Sequence, residues 1–435
     1  MARAMKDSGI SWIGEIPANW SLSRLQWCLE EIKEKNDPIR TTNVLSLTNK
    51  LGVIPYEEKG NQGNKAKEDY TQYGLAFEDT LVINSMNVLI GSVGISKYFG
   101  CVSPVYYVYK TTDKADLRFI NYLFQNAGFQ KELRKYANGI LEIRMRISSH
   151  DMLRRIVPLP CLNEQKRIAD HLDAECARID AVMEQTRVSV EEYKKLKQSI
   201  ITDAVTKGIR PNRPMKDSGI DWIGQIPDDW GMPKMNSVCS VITDYVASGS
   251  FASLAENVEY LDEPDYAMLI RTADISEKGY APKPVYISKH AYDFLKNSNL
   301  FGGELMLPNI GASVGDIYIV PKLYERMSLA PNAIMVKTRY VDRFYYYYFL
   351  GKPGRLSIED IAQSTAQAKF NKTDFRQLRV PLPSKEEQLE IAAYLDEKTM
   401  KVDALIAKKE KFLAEMESYK KSLIFEYVTG KKEVV

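Results

Sequence analysis

Histidine is scarce: three residues, at positions 150, 171 and 290, in a chain of 435. None sits in a ligand or triad pattern, so metal-dependent and nucleophilic hydrolysis have little to draw on. His150, beside Asp151, reads as a turn residue, and His171 as a solvated helix residue. Five cysteines (28, 101, 161, 176 and 239) are an odd number with no C-x-x-C pair. That argues against a zinc ribbon or a disulfide frame and for a reducing compartment, the cytoplasm. No apolar run reaches transmembrane length, and no signal-peptide pattern opens the chain. The P-loop G-x-x-x-x-G-K-[ST] is missing, no G-x-G-x-x-G follows a strand, and the Asn-Pro-Pro-aromatic signature of adenine methyltransferases does not occur. Pro264-Asp265 has no Glu-x-Lys at a useful distance, which disfavours a stand-alone nuclease. A large excess of either charge is also lacking: 59 basic and 57 acidic residues leave a net +2. Nucleic-acid affinity, if any, must come from local clusters or from partners.

What is present is repetition. Met5 to Trp20 reads MKDSGISWIGEIPANW, and Met215 to Trp230 reads MKDSGIDWIGQIPDDW. All but four of these positions are identical, which marks a tandem duplication. A second repeat closes each half. Val157-Pro-Leu-Pro160 and Val380-Pro-Leu-Pro383 each introduce a long helical pattern, over Asn163–Lys207 and Ser384–Thr429. Ile168 corresponds to Ile391, Leu172 to Leu395, Asp173 to Asp396, Asp180 to Asp403 and Ser199 to Ser422. Ser384 with Glu387 forms a capping box, whereas Cys161 occupies the cap position of the first copy and leaves its free amides to Asn163 or water.

The apolar stripe of these helices is narrow. We expect Ile168, Leu172, Ile179, Val182, Leu196 and Ile200 to meet Ile391, Leu395, Val402, Leu405, Phe412 and Leu423 in a two-helix seam. At about 1.5 Å per residue each helix would be roughly 65 Å long, too long for the core of a small domain. If each globular region has its ends close together, the second helix starts near where the first stops and runs back beside it.

Between the opening motif and VPLP each half predicts an α+β domain with a mixed or antiparallel sheet. The landmarks are Gly91-Ser-Val-Gly94 and Ala312-Ser-Val-Gly315, placed in strands. The runs Val102–Lys110 and Leu329–Lys337 also read as strands, and Asp116–Phe124 and Asp342–Leu350 as helices. The boundaries expected are 1–160 for the first domain, 161–210 for the first helical spacer, 211–383 for the second domain and 384–435 for the second spacer. The run Tyr345–Tyr348 suits core better than a base-stacking platform.

Sequence reading on DNA needs side chains at base edges and cations on phosphates. The basic, Gly- and Asn-rich loop Lys59–Lys67 offers Lys65 and Lys67. The block Lys131–Arg155 offers Arg144 and Arg146. In the second half the small-residue loop Asp244–Leu254 offers Tyr245 and Ser250, and Gln363–Lys372 offers Gln367, Lys369, Asn371 and Lys372. Each stretch could equally be a solvated surface loop.

The paired openings, the entries VPLPCLNEQ and VPLPSKEEQ and the duplicated helices together resemble the specificity subunit of type I restriction-modification enzymes. The likeness spans essentially the whole chain. DYVASGSFASLAENV followed by AQAKFNKTDF is similar to a recurring type of target-recognition domain. Cys161 and the less regular first domain depart from the pattern. The resemblance implies two target-recognition domains reading the halves of a split, asymmetric site on double-stranded DNA. They would be separated by an antiparallel intramolecular coiled coil with pseudo-twofold symmetry. It implies two methyltransferase subunits that bind S-adenosylmethionine and methylate adenine, and restriction subunits that translocate with ATP. The chain itself would be non-catalytic and would need no cofactor or metal. A coiled-coil scaffold carrying two peptide-binding domains, with no role on DNA, is the rival reading.

Overall fold

The computed structural model describes residues 3–48, 51–60, 69–139, 145–272, 275–276, 279–280, 283–362 and 367–434. The chain forms two compact units, Met1–Val188 with Glu410–Val435, and Ser189–Lys409. Each unit therefore contains a globular region, the first part of one long helix and the last part of the other.

The globular regions share one topology. In the first unit, one sheet has the order Gly52–Pro55, Val44–Thr48, Gly100–Val102, Gly74–Ala76. Its two central strands run parallel and the outer pairs antiparallel. The other sheet, all antiparallel, has the order Leu29–Glu31, Tyr106–Thr111, Thr80–Asn84, Val93–Ser96. The second unit repeats both. Val285–Ile287, Ala267–Ile270, Met327–Leu329 and Asn299–Leu300 form the mixed sheet, again with its central pair parallel. Cys239–Asp244, Ala333–Thr338, Leu305–Pro308 and Tyr318–Ile319 form the antiparallel one.

This arrangement corrects the expected strands. Val102–Lys110 and Leu329–Lys337 are not single strands. Each is cut at Ser103-Pro104 or Ala330-Pro331, and the chain passes there from the mixed sheet to the antiparallel sheet. Proline supplies no ladder donor, so it marks the crossing. Asn332, next to Pro331, takes a positive φ of 69°. Residues 312–315 form a turn between strands rather than part of one, and Phe251–Asn257 is a short helix within the stretch expected as a loop. The Tyr345–Tyr348 run lies in helix Asp342–Leu350, where Tyr345, Tyr347 and Tyr348 are buried.

The long helices run Leu162–Lys207 and Lys385–Val428. Their polarity is fixed inside each unit. In the first, the His171 ring lies 4.4 Å from Tyr427, and Asp180 receives Lys420 at 2.7 Å. In the second, Lys409 sits over the Tyr193 ring, and Lys197 reaches Asp403 at 2.7 Å. Rising numbers on one helix meet falling numbers on the other, so the pairing is antiparallel. His171 is thus half-buried, its ring tilted against Tyr427, rather than fully solvated.

The seam follows heptad spacing: Leu172, Cys176, Ile179, Met183, Thr186 and Val190 are buried on the first helix. Leu395, Thr399, Val402, Leu423 and Tyr427 are buried on the second, with Leu413 and Met416 partly so. Ile168 and Ile391 are buried and Ile200 half-buried. Val182, Leu196, Leu405 and Phe412 are corrected: they are 37–48% exposed. Each stands one residue beside the seam, whose positions there belong to Met183, Lys197, Ile406 and Leu413. The Lys–Asp pairs across the seam keep their carboxylates more than half exposed, so each contributes at most ~1 kcal/mol. Their role is to set direction and register.

One joint recurs in both units. Gln165 and Gln388 are fully buried. Gln165 Nε2 donates to the Pro160 carbonyl at 2.9 Å, and its Oε1 accepts from the Asp116 amide at 2.8 Å. Gln388 does the same with Pro383 (3.0 Å) and Val341 (3.1 Å). Next to it, buried Trp230 donates its indole N–H to Glu387 at 3.0 Å, and Arg213 pairs with the same carboxylate. The Glu387 side chain is therefore engaged with the opening motif. Only half of the expected capping box forms, with Ser384 Oγ accepting from the Glu387 amide at 3.2 Å. In the first unit Arg3 binds Glu164 at 2.5 Å and lies over Trp20. At Cys161 the entry relies on its carbonyl, which accepts from the Glu164 and Gln165 amides.

Removing the Gln388 amide strands the Val341 N–H and the Pro383 carbonyl, each costing about 1–3 kcal/mol. Gln388→Ala is expected to lower the urea midpoint clearly, and Gln388→Glu at least as much, because it sets a buried carboxylate against the Pro383 carbonyl. A midpoint equal to wild type in Gln388→Ala would refute the joint.

Candidate nucleic-acid interface

The strand-to-helix step before VPLP is built alike in the two units. In the first, Ile147 is a buried anchor whose amide donates to the Ser85 carbonyl at 3.1 Å. Ser148 then caps helix Ser149–Leu153, accepting from the Asp151 amide at 3.0 Å. In the second, Phe370 is the anchor and donates to the Asn309 carbonyl at 3.1 Å. Asn371 caps helix Lys372–Gln377, accepting from the Asp374 amide at 2.9 Å. Local sequence explains the form: an apolar residue fixes the entry, and a side-chain oxygen ends the extended segment.

A cation stands one residue before each anchor. Arg146 and Lys369 are both exposed, and among the described residues neither side chain is in an ion pair. Their backbones are fixed, Arg146 by a two-bond bridge to Asn138 and Lys369 by a bridge to Ile310. Gly311, at a φ of +103°, donates to the Ala368 carbonyl at 2.9 Å, so the 309–315 turn lies against the segment carrying Gln367 and Lys369. The arrangement presents a positive side chain on a held backbone, which suits a phosphate oxygen or a guanine edge.

Other expected contacts fall elsewhere. Lys65, Lys67 and Arg144 lie outside the described residues. Tyr245 is corrected: its ring is 6% exposed and belongs to the core with Leu254 and Leu269. Burial, and then the neighbouring Tyr260, hold its hydroxyl well above the usual tyrosine range. Ser250 is exposed but caps Phe251–Asn257, accepting from the Ser253 amide at 3.3 Å. Asn371 spends its side chain on the cap and on Asp374 (2.7 Å). The Lys372 ammonium is paired with the buried Asp244 at 2.8 Å. Gln367 is exposed near Gly311. In the basic block, Lys135 pairs with Glu132 at 2.7 Å and Arg155 lies on the Tyr136 ring, whereas Lys131 and Arg134 are exposed.

Nothing in the described residues gathers three or more His, Cys, Asp or Glu as a metal site. Among the described residues no helix is long and apolar enough to cross a membrane. Burial pushes the Cys239 thiol up to about 12 and also raises those of Cys28, Cys101 and Cys176, while Cys161 is exposed. A thiol held that high is a poor nucleophile at neutral pH.

Two non-identical copies of one α+β domain, each with an antiparallel helical buttress and a positioned surface cation, define a tandem recognition protein. The sequence model described as "Type I restriction modification DNA specificity domain" matches residues 28–192 and 227–414. The chain belongs to this family and carries its domain twice, and its role is DNA recognition. It is 27% identical to the MjaX specificity subunit of Methanocaldococcus jannaschii, over 97% of this chain and 96% of that one. It is 22% identical to the EcoBI specificity subunit of Escherichia coli over 65% of this chain and 60% of that protein. A solved chain from a study of type I restriction-modification assembly and conformational transition superposes with a TM-score of 0.72 at 15% identity, covering 96% of this chain and 99% of its own. The HsdS subunit of Thermoanaerobacter tengcongensis gives 0.52 at 16%, covering 96% and 98%. Family membership places the chain with type I restriction-modification specificity subunits.

Lys369→Met and Arg146→Met are each expected to weaken DNA binding by the assembled complex. Each should reduce the slope of log affinity against log salt by about 0.9. Tyr245→Phe is expected to leave both affinity and slope as in wild type. A full wild-type slope in both cation variants would remove these residues from the interface.

Proposed function

We propose that the chain reads a bipartite, asymmetric DNA site, one half-site per globular region, and directs partner subunits to methylate adenine within it. The observation that carries this reading is the pairing of Arg146 with Lys369. Equivalent positions in two duplicated domains present a cation on a fixed backbone, while the loops around them differ in sequence. Equal scaffolds with unequal readers suit unequal half-sites. The partners are two methyltransferase subunits that supply S-adenosylmethionine chemistry, and restriction subunits that supply ATP-driven translocation and cleavage. This chain contributes recognition and geometry.

The long helices set the gap between half-sites. Support comes from their uninterrupted lengths, 46 and 44 residues, and from a heptad seam that admits few registers. Half-site separation in tandem readers follows from the element that joins them. At about 3.4 Å per base pair, a helix of roughly 65 Å bounds the separation of site centres near 19 base pairs.

Methylome sequencing of cells expressing the chain with its partners tests both parts. Replacing residues 20–156 with the corresponding region of another such protein is expected to change one half-site and leave the other intact. Inserting four residues near Ala181 is expected to change the gap while preserving both half-sites. A swap that alters both halves sinks the modular reading, and an unaltered gap after insertion sinks the spacer reading.

A further inference from the structure

We infer that Lys372 and Asp244 in the second unit, and Ser149 and Glu31 in the first, are clasps that position the DNA-contacting cations. This rests on the DNA-recognition reading above. Lys372 and Ser149 occupy the same place, the first residue of the short helix after the Asn371 or Ser148 cap. Asp244 and Glu31 each end the first strand of the antiparallel sheet, two rungs apart: Asp244 stands opposite Ile334, and Glu31 opposite Tyr109, the counterpart of Val336. Lys372 Nζ reaches Asp244 Oδ1 at 2.8 Å, with side chains 24% and 13% exposed. Ser149 Oγ donates to Glu31 Oε2 at 2.7 Å and meets the Tyr109 hydroxyl at 2.8 Å.

A second tie lies one step away in each unit. The anchor carbonyl, Phe370 or Ile147, accepts from Asn309 Nδ2 at 3.2 Å or from the Tyr107 hydroxyl at 3.2 Å. The helix start and the anchor keep their places in both copies, while the chemistry and the position of the partners that tie them differ. Strand end, helix start and anchor are bound into one rigid corner, and the cation projects from the residue just before it.

A clasp and a phosphate contact make opposite demands at Asp244. If Lys372 served DNA through its charge, removing the nearby carboxylate would strengthen binding, because an anion repels phosphate. If the pair is a clasp, the same change weakens binding, because the corner loosens. A cation that releases no counterion on binding leaves the salt dependence unaltered.

The test uses the chain assembled with its partner subunits and a duplex carrying the site mapped by methylome sequencing, with Kd measured from 50 to 300 mM salt. Asp244→Asn and Lys372→Met are each expected to weaken cognate binding about tenfold with the wild-type salt slope, whereas Lys369→Met lowers the slope. In cells, both clasp variants should relax the half-site read by the second unit only. An intact first half-site then reports that the complex has folded and assembled. Ser149→Ala, which removes one hydroxyl and no packing, is the second variant and is expected to lose about threefold at unchanged slope. Asp244→Asn binding as well as or better than wild type, a lowered slope in Lys372→Met, or wild-type affinity in Ser149→Ala would each overturn the clasp in that unit. A wild-type complex that fails to prefer the mapped duplex over a scrambled one would sink the DNA-recognition reading and the clasp with it.

Discussion

Trp20 and Trp230 fix how each unit is closed. Each indole is buried where the opening motif meets two helix termini: the start of one long helix and the end of the other. Trp230 faces Glu387 at the start of the second helix and Gly208 at the end of the first. Trp20 has Arg3 over it, with Glu164 behind, and Gly430 against its ring edge. Gly208 and Gly430 have φ of +73° and +72°, and a Cβ on Gly430 would come within 2.4 Å of Pro17. Only glycine both ends the helix in the left-handed region and lets the tryptophan come this close. A helix start and a helix end pinned side by side in one unit oblige the two helices to run antiparallel there.

The seam needs little sequence to do its part. Its buried positions include Thr186, Thr399 and Cys176, and its central stretch has Lys197, Lys409 and Lys420 at half-buried positions. Such a seam contributes less than one filled with leucine, and the exposed ion pairs add little. Its gain is in register. Asp180 and Asp403, and likewise Lys197 and Lys420, are equivalent positions of the duplication. Each aspartate of one helix takes the lysine of the other. A slip by one heptad would separate both pairs and leave lysines facing apolar neighbours.

The sequence disclosed features written in short range and concealed those decided by distant partners. The duplicated motifs gave the halves, and the unbroken heptads gave the helices to within a residue or two. Strand boundaries at Pro104 and Pro331 were hidden because the apolar alternation continues on both sides while the chain changes sheet. Val182 was indistinguishable from Met183 by hydropathy alone. Only the phase of a full heptad series, with polar Thr186 and Lys197 counted as seam positions, separates them. Lys372 is the sharpest case. In a loop of amides and hydroxyls it reads as a DNA contact. What occupies its ammonium is Asp244, 128 residues away, which no local pattern reveals. The signal available was positional: Lys372 aligns with Ser149, whereas the cation that recurs across the duplication is the pair Arg146 and Lys369.

That contrast bears on how such a chain can change what it reads. Among residues whose chemistry is kept across the duplication, Gln165 with Gln388, Tyr122 with Tyr347, and Asp173 with Asp396 serve the frame. Burial lifts the Tyr347 hydroxyl to about 12, so it stays protonated and donates to Asp396 at 2.7 Å, as Tyr122 does to Asp173. Positions where placement is kept but chemistry differs, such as Ser149 against Lys372, still serve the frame by another bond. Apart from the recurring cation, the two copies differ in sequence on the turns and segments leading up to the anchors. A reader can therefore be rewritten there without disturbing the joint that aligns it, provided the corner beneath remains tied.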